Sequence, residues 1–210
     1  MLFVHRVRYL EQHLDRVRAS AGVLGYAFNE PEIRDHIHQK IQGLRRGIRH
    51  KVRMTISREG VVDVVCTQIK ASPRQSKVLC LSPIRVDAED LYFYHKTTRR
   101  EMYEQEFARA NDAGFAEILF LNKDGLLTEA SRHNVFVRIN GQIVTPPVKH
   151  GVLPGVYRNL LLERCSNILE KEILLSDLEN ADALYLSHAV QGLRKYRLDT
   201  PINFLCLENT

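Results

Sequence analysis

Apolar residues recur at steps of three and four from Leu10 to Ile48 and at steps of two directly afterwards, so a helical segment runs straight into a sheet-forming one. Leu10, Leu14, Val17, Ala21 and Leu24 mark one face of a first helix, with Gly25 as its stop. Asn29, Pro31 and Glu32 signal a second start, and Ile33, Ile37, Ile41, Leu44 and Ile48 extend that helix towards Gly47. Val52, Met54 and Ile56 then alternate with polar residues, and Ser57-Arg58-Glu59-Gly60 turns the chain into Val61–Val65, a hairpin.

The breakers Ser72-Pro73 and Ser82-Pro83 place a junction near Ile84–Glu89. Residues 1–86 are therefore expected to form a small α+β lobe and residues 87–210 a larger, β-rich one. Beyond the junction, Leu91–His95 reads as a strand and Arg99–Ala110 as a helix closed by Gly114. Ala116–Leu121 reads as a strand turning at Asn122-Lys123-Asp124-Gly125. Asn140-Gly141 between Asn134–Ile139 and Gln142–Thr145 is the strongest short hairpin signal in the chain, and Pro146-Pro147 ends it. A helix over Val156–Cys165 and strands near Ile173 and over Ala183–Leu186 complete a pattern without regular βαβ alternation, which is α+β.

The excess of basic over acidic residues, 30 against 25, suits an anionic small molecule as well as a nucleic acid. Arg45, Arg46 and Arg49 fall at the expected end of the second helix, where cations suit the dipole, and no aromatic residue is interleaved to stack on bases. A solvated face is the better reading of that cluster than a nucleic-acid patch. No apolar run approaches the roughly eighteen residues of a membrane span, and no signal peptide is evident. Cys66, Cys80, Cys165 and Cys206 are too scattered for a metal knuckle or a disulfide framework, which fits reduced thiols in cytoplasm and no metal site.

Three short strings carry chemistry. Lys96 closes an aromatic stretch with Arg99 and Arg100 behind it. Neighbouring cations and partial desolvation would ease loss of its proton, as a Schiff-base lysine requires, although a solvated lysine is the commoner explanation of such a residue. Glu129, in Thr128-Glu129-Ala130-Ser131, is either a turn acid or a carboxylate facing the ring nitrogen of a pyridine cofactor. Gly155, ahead of Val156 and Tyr157, is either a common turn or the approach to a helix end whose N–H groups suit a phosphate.

In this order, the strings YHKTTRREMYE, LTEASRHNVFV, TPPVKHGVLPGVYRNLLLE and ADALYLSHAVQGL, behind His13-Leu14-Asp15-Arg16, resemble the class IV, D-amino-acid-aminotransferase-like family of pyridoxal-phosphate enzymes. The resemblance spans Leu10 to about Leu198. It implies a two-lobed α+β fold that binds pyridoxal 5'-phosphate between its lobes, in a homodimer, with an amino terminus shorter than usual. It implies Lys96 as the Schiff-base lysine and proton shuttle, and Glu129 as the partner of the pyridinium nitrogen. Arg16 and the N–H groups of Val156 and Tyr157 would hold the phosphate. Arg100 would belong to the cofactor site, and Asn134 would be either a cofactor ligand or the support of the Glu129 loop. Ala189 would lie on the cofactor and Val190 on the substrate. His188-Ala189 replaces the family's usual Asn-Ser or Gly-Thr and so removes a phosphate-binding hydroxyl worth about 1–3 kcal/mol. Gln191 stands where lyase relatives often carry Arg.

Arg100, the fourth residue after Lys96, and the wording HKTT-x-R-x-x-Y through Tyr103 resemble aminodeoxychorismate lyases, whereas branched-chain transaminases place Tyr four or five positions after the lysine. The expected activity is therefore a pyridoxal-phosphate lyase of folate biosynthesis. The alternatives are an aminotransferase for branched-chain or D-amino acids, and a non-catalytic homologue or fragment of a larger synthase.

Overall fold

The computed structural model describes residues 6–70, 76–202 and 204–205; Ser72-Pro73 and Cys206 lie outside them. Two compact units result, Met1–Pro73 and Arg74–Thr210.

In the first unit, α1 (Leu10–Leu24) and α2 (Glu30–Gln42) bury Leu14, Ile33, Ile37 and Ile41 with Val62 and Val64 of a two-stranded antiparallel sheet, β1 (His50–Ile56) and β2 (Val62–Gln68). Gly25 closes α1 in the left-handed region at φ 70°. The Asn29 side chain caps α2 through the Glu32 N–H. This helix stops at Gly43, before Leu44 and Ile48, so Arg45, Arg46 and Arg49 follow the helix rather than occupying its last turn. Only the apolar spacing continued; the backbone turned at the first glycine it met.

In the second unit, an eight-stranded mixed sheet runs in the order β5-β4-β3-β10-β9-β6-β7-β8. Its strands are β3 (Val78–Val86), β4 (Glu117–Asn122), β5 (Leu127–Ala130), β6 (Asn134–Ile139), β7 (Gln142–Thr145), β8 (Ile168–Glu170), β9 (Ala183–His188) and β10 (Gly192–Leu198). Helices α3 (Glu101–Asp112), α4 (Val156–Arg164) and α5 (Leu175–Glu179) connect them. Leu79, Leu81, Leu119 and Leu121 alternate onto one face with Val135, Val137, Leu184 and Leu186. Cys80, Ile118 and Phe120 point the other way, against Tyr103 and Ala110 of α3. The parallel β3–β4 pair is thus buried on both faces, which is why its sequence is nearly continuously apolar.

Four expectations change. The division between units falls after Pro73, not at Ile84–Glu89, because Val78–Val86 is an interior strand of the large sheet. Ser82-Pro83, read as a breaker, is accommodated by a register shift between Leu81 and Arg85. Leu91–Tyr94 is a 3-10 turn capped by the Asp90 side chain, not a strand. Ile173 is buried but lies outside the strands, the strand there being Ile168–Glu170. The Asn140-Gly141 hairpin forms as expected, with φ of 50° and 80° at its two turn residues.

Leu119→Ala would leave a cavity between two fully packed strands. The expected loss is about 2–5 kcal/mol, read as a lower urea midpoint at unchanged slope.

Candidate active site

Glu129 is 4% exposed on β5, and donors from three elements converge on its carboxylate. The Tyr103 hydroxyl of α3 donates to Oε1 at 3.1 Å. Asn134 Nδ2 at the start of β6 and the Leu153 N–H donate to Oε2 at 3.2 and 3.3 Å. Burial pushes the carboxyl up to about 7, against the opposing charges of Lys96 and Arg100 and the hydroxyl of Tyr103. Tyr103 is held in place edge-on to Phe93 and Phe120, with ring centroids 5.9 and 4.9 Å away. Its own hydroxyl is raised well above the ordinary value, by burial first and by the Glu129 charge second.

Lys96 is exposed in the loop after the 3-10 turn, close enough for its charge to act on Glu129. It follows a turn and not the end of a strand, because Leu91–Tyr94 coils rather than entering the sheet. The Tyr94 hydroxyl moors this loop by donating to Ala88 O at 2.7 Å and Lys149 O at 3.0 Å. The two arginines behind Lys96 diverge. Arg99 lies over the Tyr92 ring and pairs with Asp90 at 3.5 Å. Arg100 lies 4.8 Å from the Tyr103 ring centroid and donates to Ser131 O.

Asn134 gives its second Nδ2 hydrogen to Leu153 O at 2.8 Å, and its Oδ1 sits where a Cβ at Gly155 would be. The Asn134 side chain thus ties Glu129 to the segment entering α4, and Gly155 is needed for close approach rather than for an unusual φ. Helix geometry directs the N–H groups of Val156 and Tyr157 out of the end of α4, where the dipole favours an anion. Arg158, 2% exposed, pins that end by donating to Pro146 O at 2.8 Å and to Glu170.

Between β9 and β10, Val190 donates its N–H to His188 Nδ1 at 3.2 Å. Ala189 lies in this turn, which reaches Tyr157: a Cβ at Gly192 would be 3.5 Å from the Tyr157 hydroxyl. Arg16 belongs to the first unit, half-buried on α1. Its charge adds to burial in holding the neighbouring His13 imidazole down to about 4. The second unit thus brings Lys96, Arg100, Glu129 and Asn134 together with the start of α4. Tyr103 was not singled out as a site residue, although its place three residues beyond Arg100, on the same helical face, was the available signal.

Residues 2–197 match the Amino-transferase class IV family. A Schizosaccharomyces pombe protein described as "Putative aminodeoxychorismate lyase" is 32% identical over 193 residues, which cover 89% of this chain and 82% of that protein. A crystal structure of a "Putative amino-acid aminotransferase" from Mesorhizobium loti superposes with a TM-score of 0.82 at 28% identity, covering 90% of this chain and 91% of the other. A PLP-bound "hypothetical aminotransferase" from Mycobacterium tuberculosis shares the fold, with a TM-score of 0.76 at 17% identity and coverage of 94% and 78%.

Two outcomes follow from this geometry. Because the folded Glu129 carboxyl titrates near 7 instead of its ordinary 4.5, its contribution to stability is present below the ordinary value and lost as pH rises through 7. Glu129→Gln lacks that loss, so its urea midpoint should gain on wild type between about pH 5 and about pH 8. Gly155→Ala should push Asn134 off both of its acceptors, lowering stability by about 1–3 kcal/mol and weakening cofactor affinity with it.

Proposed function

Because the chain belongs to the class IV aminotransferase family, whose enzymes use pyridoxal phosphate, we propose that it is a 4-amino-4-deoxychorismate lyase that releases p-aminobenzoate and pyruvate for folate synthesis. The single observation carrying this reading is the extent of the likeness to the S. pombe protein, which covers 89% of this chain and 82% of that protein. An aminotransferase is the second reading, favoured by the M. loti structure. A homodimer in cytoplasm is part of the proposal.

The residues present fit the cofactor. A carboxyl held by three donors suits a ring nitrogen, the glycine entry to α4 suits a phosphate, and Lys96 lies within electrostatic reach of Glu129. When bound, pyridoxal phosphate supplies an electron sink conjugated to the substrate amine. Lys96 would hold the cofactor through Nζ and, once freed, would serve as base and acid towards the substrate. In the lyase reaction it removes a proton from the substrate ring and returns one as pyruvate leaves, and the carbocycle becomes aromatic. In a transaminase the same amine would take its proton from the α-carbon of the amino acid instead. Glu129 keeps a proton at the ring nitrogen, while Tyr103 and Asn134 fix the direction of its carboxylate. The N–H groups of Val156 and Tyr157 would hold the phosphate.

The test is product analysis with aminodeoxychorismate. Release of p-aminobenzoate and pyruvate, without an amino-acid half-reaction to a keto acid, is the expected result; the reverse pattern makes the protein an aminotransferase. Borohydride reduction followed by peptide mapping should place the adduct on Lys96. Lys96→Ala should lose the adduct and at least about 10²–10⁴-fold in turnover.

A further inference from the structure

A second cluster of titratable groups lies beside the site and takes no part in the chemistry above. Glu117 opens β4 with 1% of its surface exposed. Its Oε1 accepts from the Ile118 N–H at 3.1 Å and from the Ser131 hydroxyl. Its Oε2 accepts from His133 Nδ1 at 2.8 Å and Arg132 Nε at 3.4 Å. Burial raises this carboxyl, but the His133, Ser131 and Arg132 contacts together hold it below its ordinary value, so a carboxylate stands behind His133. The His133 ring packs 4.5 Å from the His188 ring, tilted by 56°.

His188 Nδ1 in turn accepts the Val190 N–H. An accepting ring nitrogen carries no proton, so the imidazole is in its Nε2–H tautomer. A side-chain acceptor bonded to the N–H two residues on is the geometry of an Asx-turn, supplied here by histidine. That bond sets how the chain leaves β9, crosses Ala189 and re-enters the sheet at Gly192, where an added Cβ would lie 3.5 Å from the hydroxyl of Tyr157, the second residue of α4.

We infer that His188 is a positioning residue: through its Nδ1 it holds the Ala189–Gly192 turn against the helix end that receives the cofactor phosphate. This rests on the proposed function for the identity of the ligand, but not for the turn itself. Unlike an Asn or Asp, the side chain can be switched off. Once Nδ1 is protonated it becomes a donor, and this bond to the Val190 N–H is lost. The charged and titratable groups around it are His133 and Arg132 on the β5–β6 connection, Glu117 on β4, and Arg194 and Tyr196 on β10, which share its face through the Gly192–His188 pairing.

The test compares wild type, His188→Asn and His188→Ala by Val190 amide-exchange protection and by pyridoxal-phosphate titration across pH. Asn retains an acceptor for the i+2 N–H and does not titrate. His188→Ala should expose Val190 at every pH and bind the cofactor about fivefold more weakly. His188→Asn should keep Val190 protected throughout. Its affinity relative to wild type should rise on acidification, as wild type alone loses the bond. Equal Val190 protection in all three proteins, or parallel pH profiles for wild type and His188→Asn, overturns the inference. So does a His188→Ala protein that loses the protection yet binds the cofactor at wild-type strength. If wild type itself does not bind pyridoxal phosphate, the proposed function fails, and the exchange data still decide the role of His188 in the turn.

Discussion

The carboxylate of Glu129 is the group around which the second unit is arranged. A buried carboxyl is tolerated only when donors replace the water it has lost, and here each donor comes from a different stretch of chain. Tyr103 commits α3 to a fixed rotation over β3 and β4. Asn134 commits the start of β6, and the Leu153 N–H commits the approach to α4. The described donors fill both lone pairs of Oε2 and one of Oε1, so Oε1 is the oxygen with capacity left for a further N–H donor.

Packing explains why that arrangement is rigid. β3 and β4 bury alternate residues on opposite faces, so β4 cannot slip by one residue without exchanging Leu119 and Leu121 for Ile118 and Phe120. Phe120 and Phe93 fix the Tyr103 ring that Glu129 needs, and Thr128 on β5 donates back to Phe120 O at 3.0 Å. Core and site are thus built from adjacent residues of the same strands, with even and odd positions dividing the work.

Local signals made the periphery of this structure legible. Gly25 ends α1 and Asn140-Gly141 turns its hairpin because each meets a backbone demand that few other residues satisfy. β3 was hidden because Ser82-Pro83 sits inside it, and no local rule says that a bulge will absorb a proline between Leu81 and Arg85. Leu91–Tyr94 has the aromatic content of a strand, yet the Asp90 cap and the neighbouring turn decide its conformation. Within the site, Lys96, Glu129 and Gly155 were readable as strings. Tyr103 and Glu117 were not, because their importance lies in partners 26 and 16 residues away.

The charge balance couples the two ends of the site. Burial is the largest influence on Glu129, and the charge of Lys96 is the strongest influence opposing it, ahead of Arg100 and the Tyr103 hydroxyl. Neutralising the Lys96 amine weakens that opposition, and a cationic N–H donor at the open position on Oε1 would restore it. Returning the proton to Lys96 reverses the effect. The charge on Lys96 therefore acts on the protonation of Glu129, and does so in one fixed geometry because Tyr103, Asn134 and Leu153 keep the carboxylate from turning away.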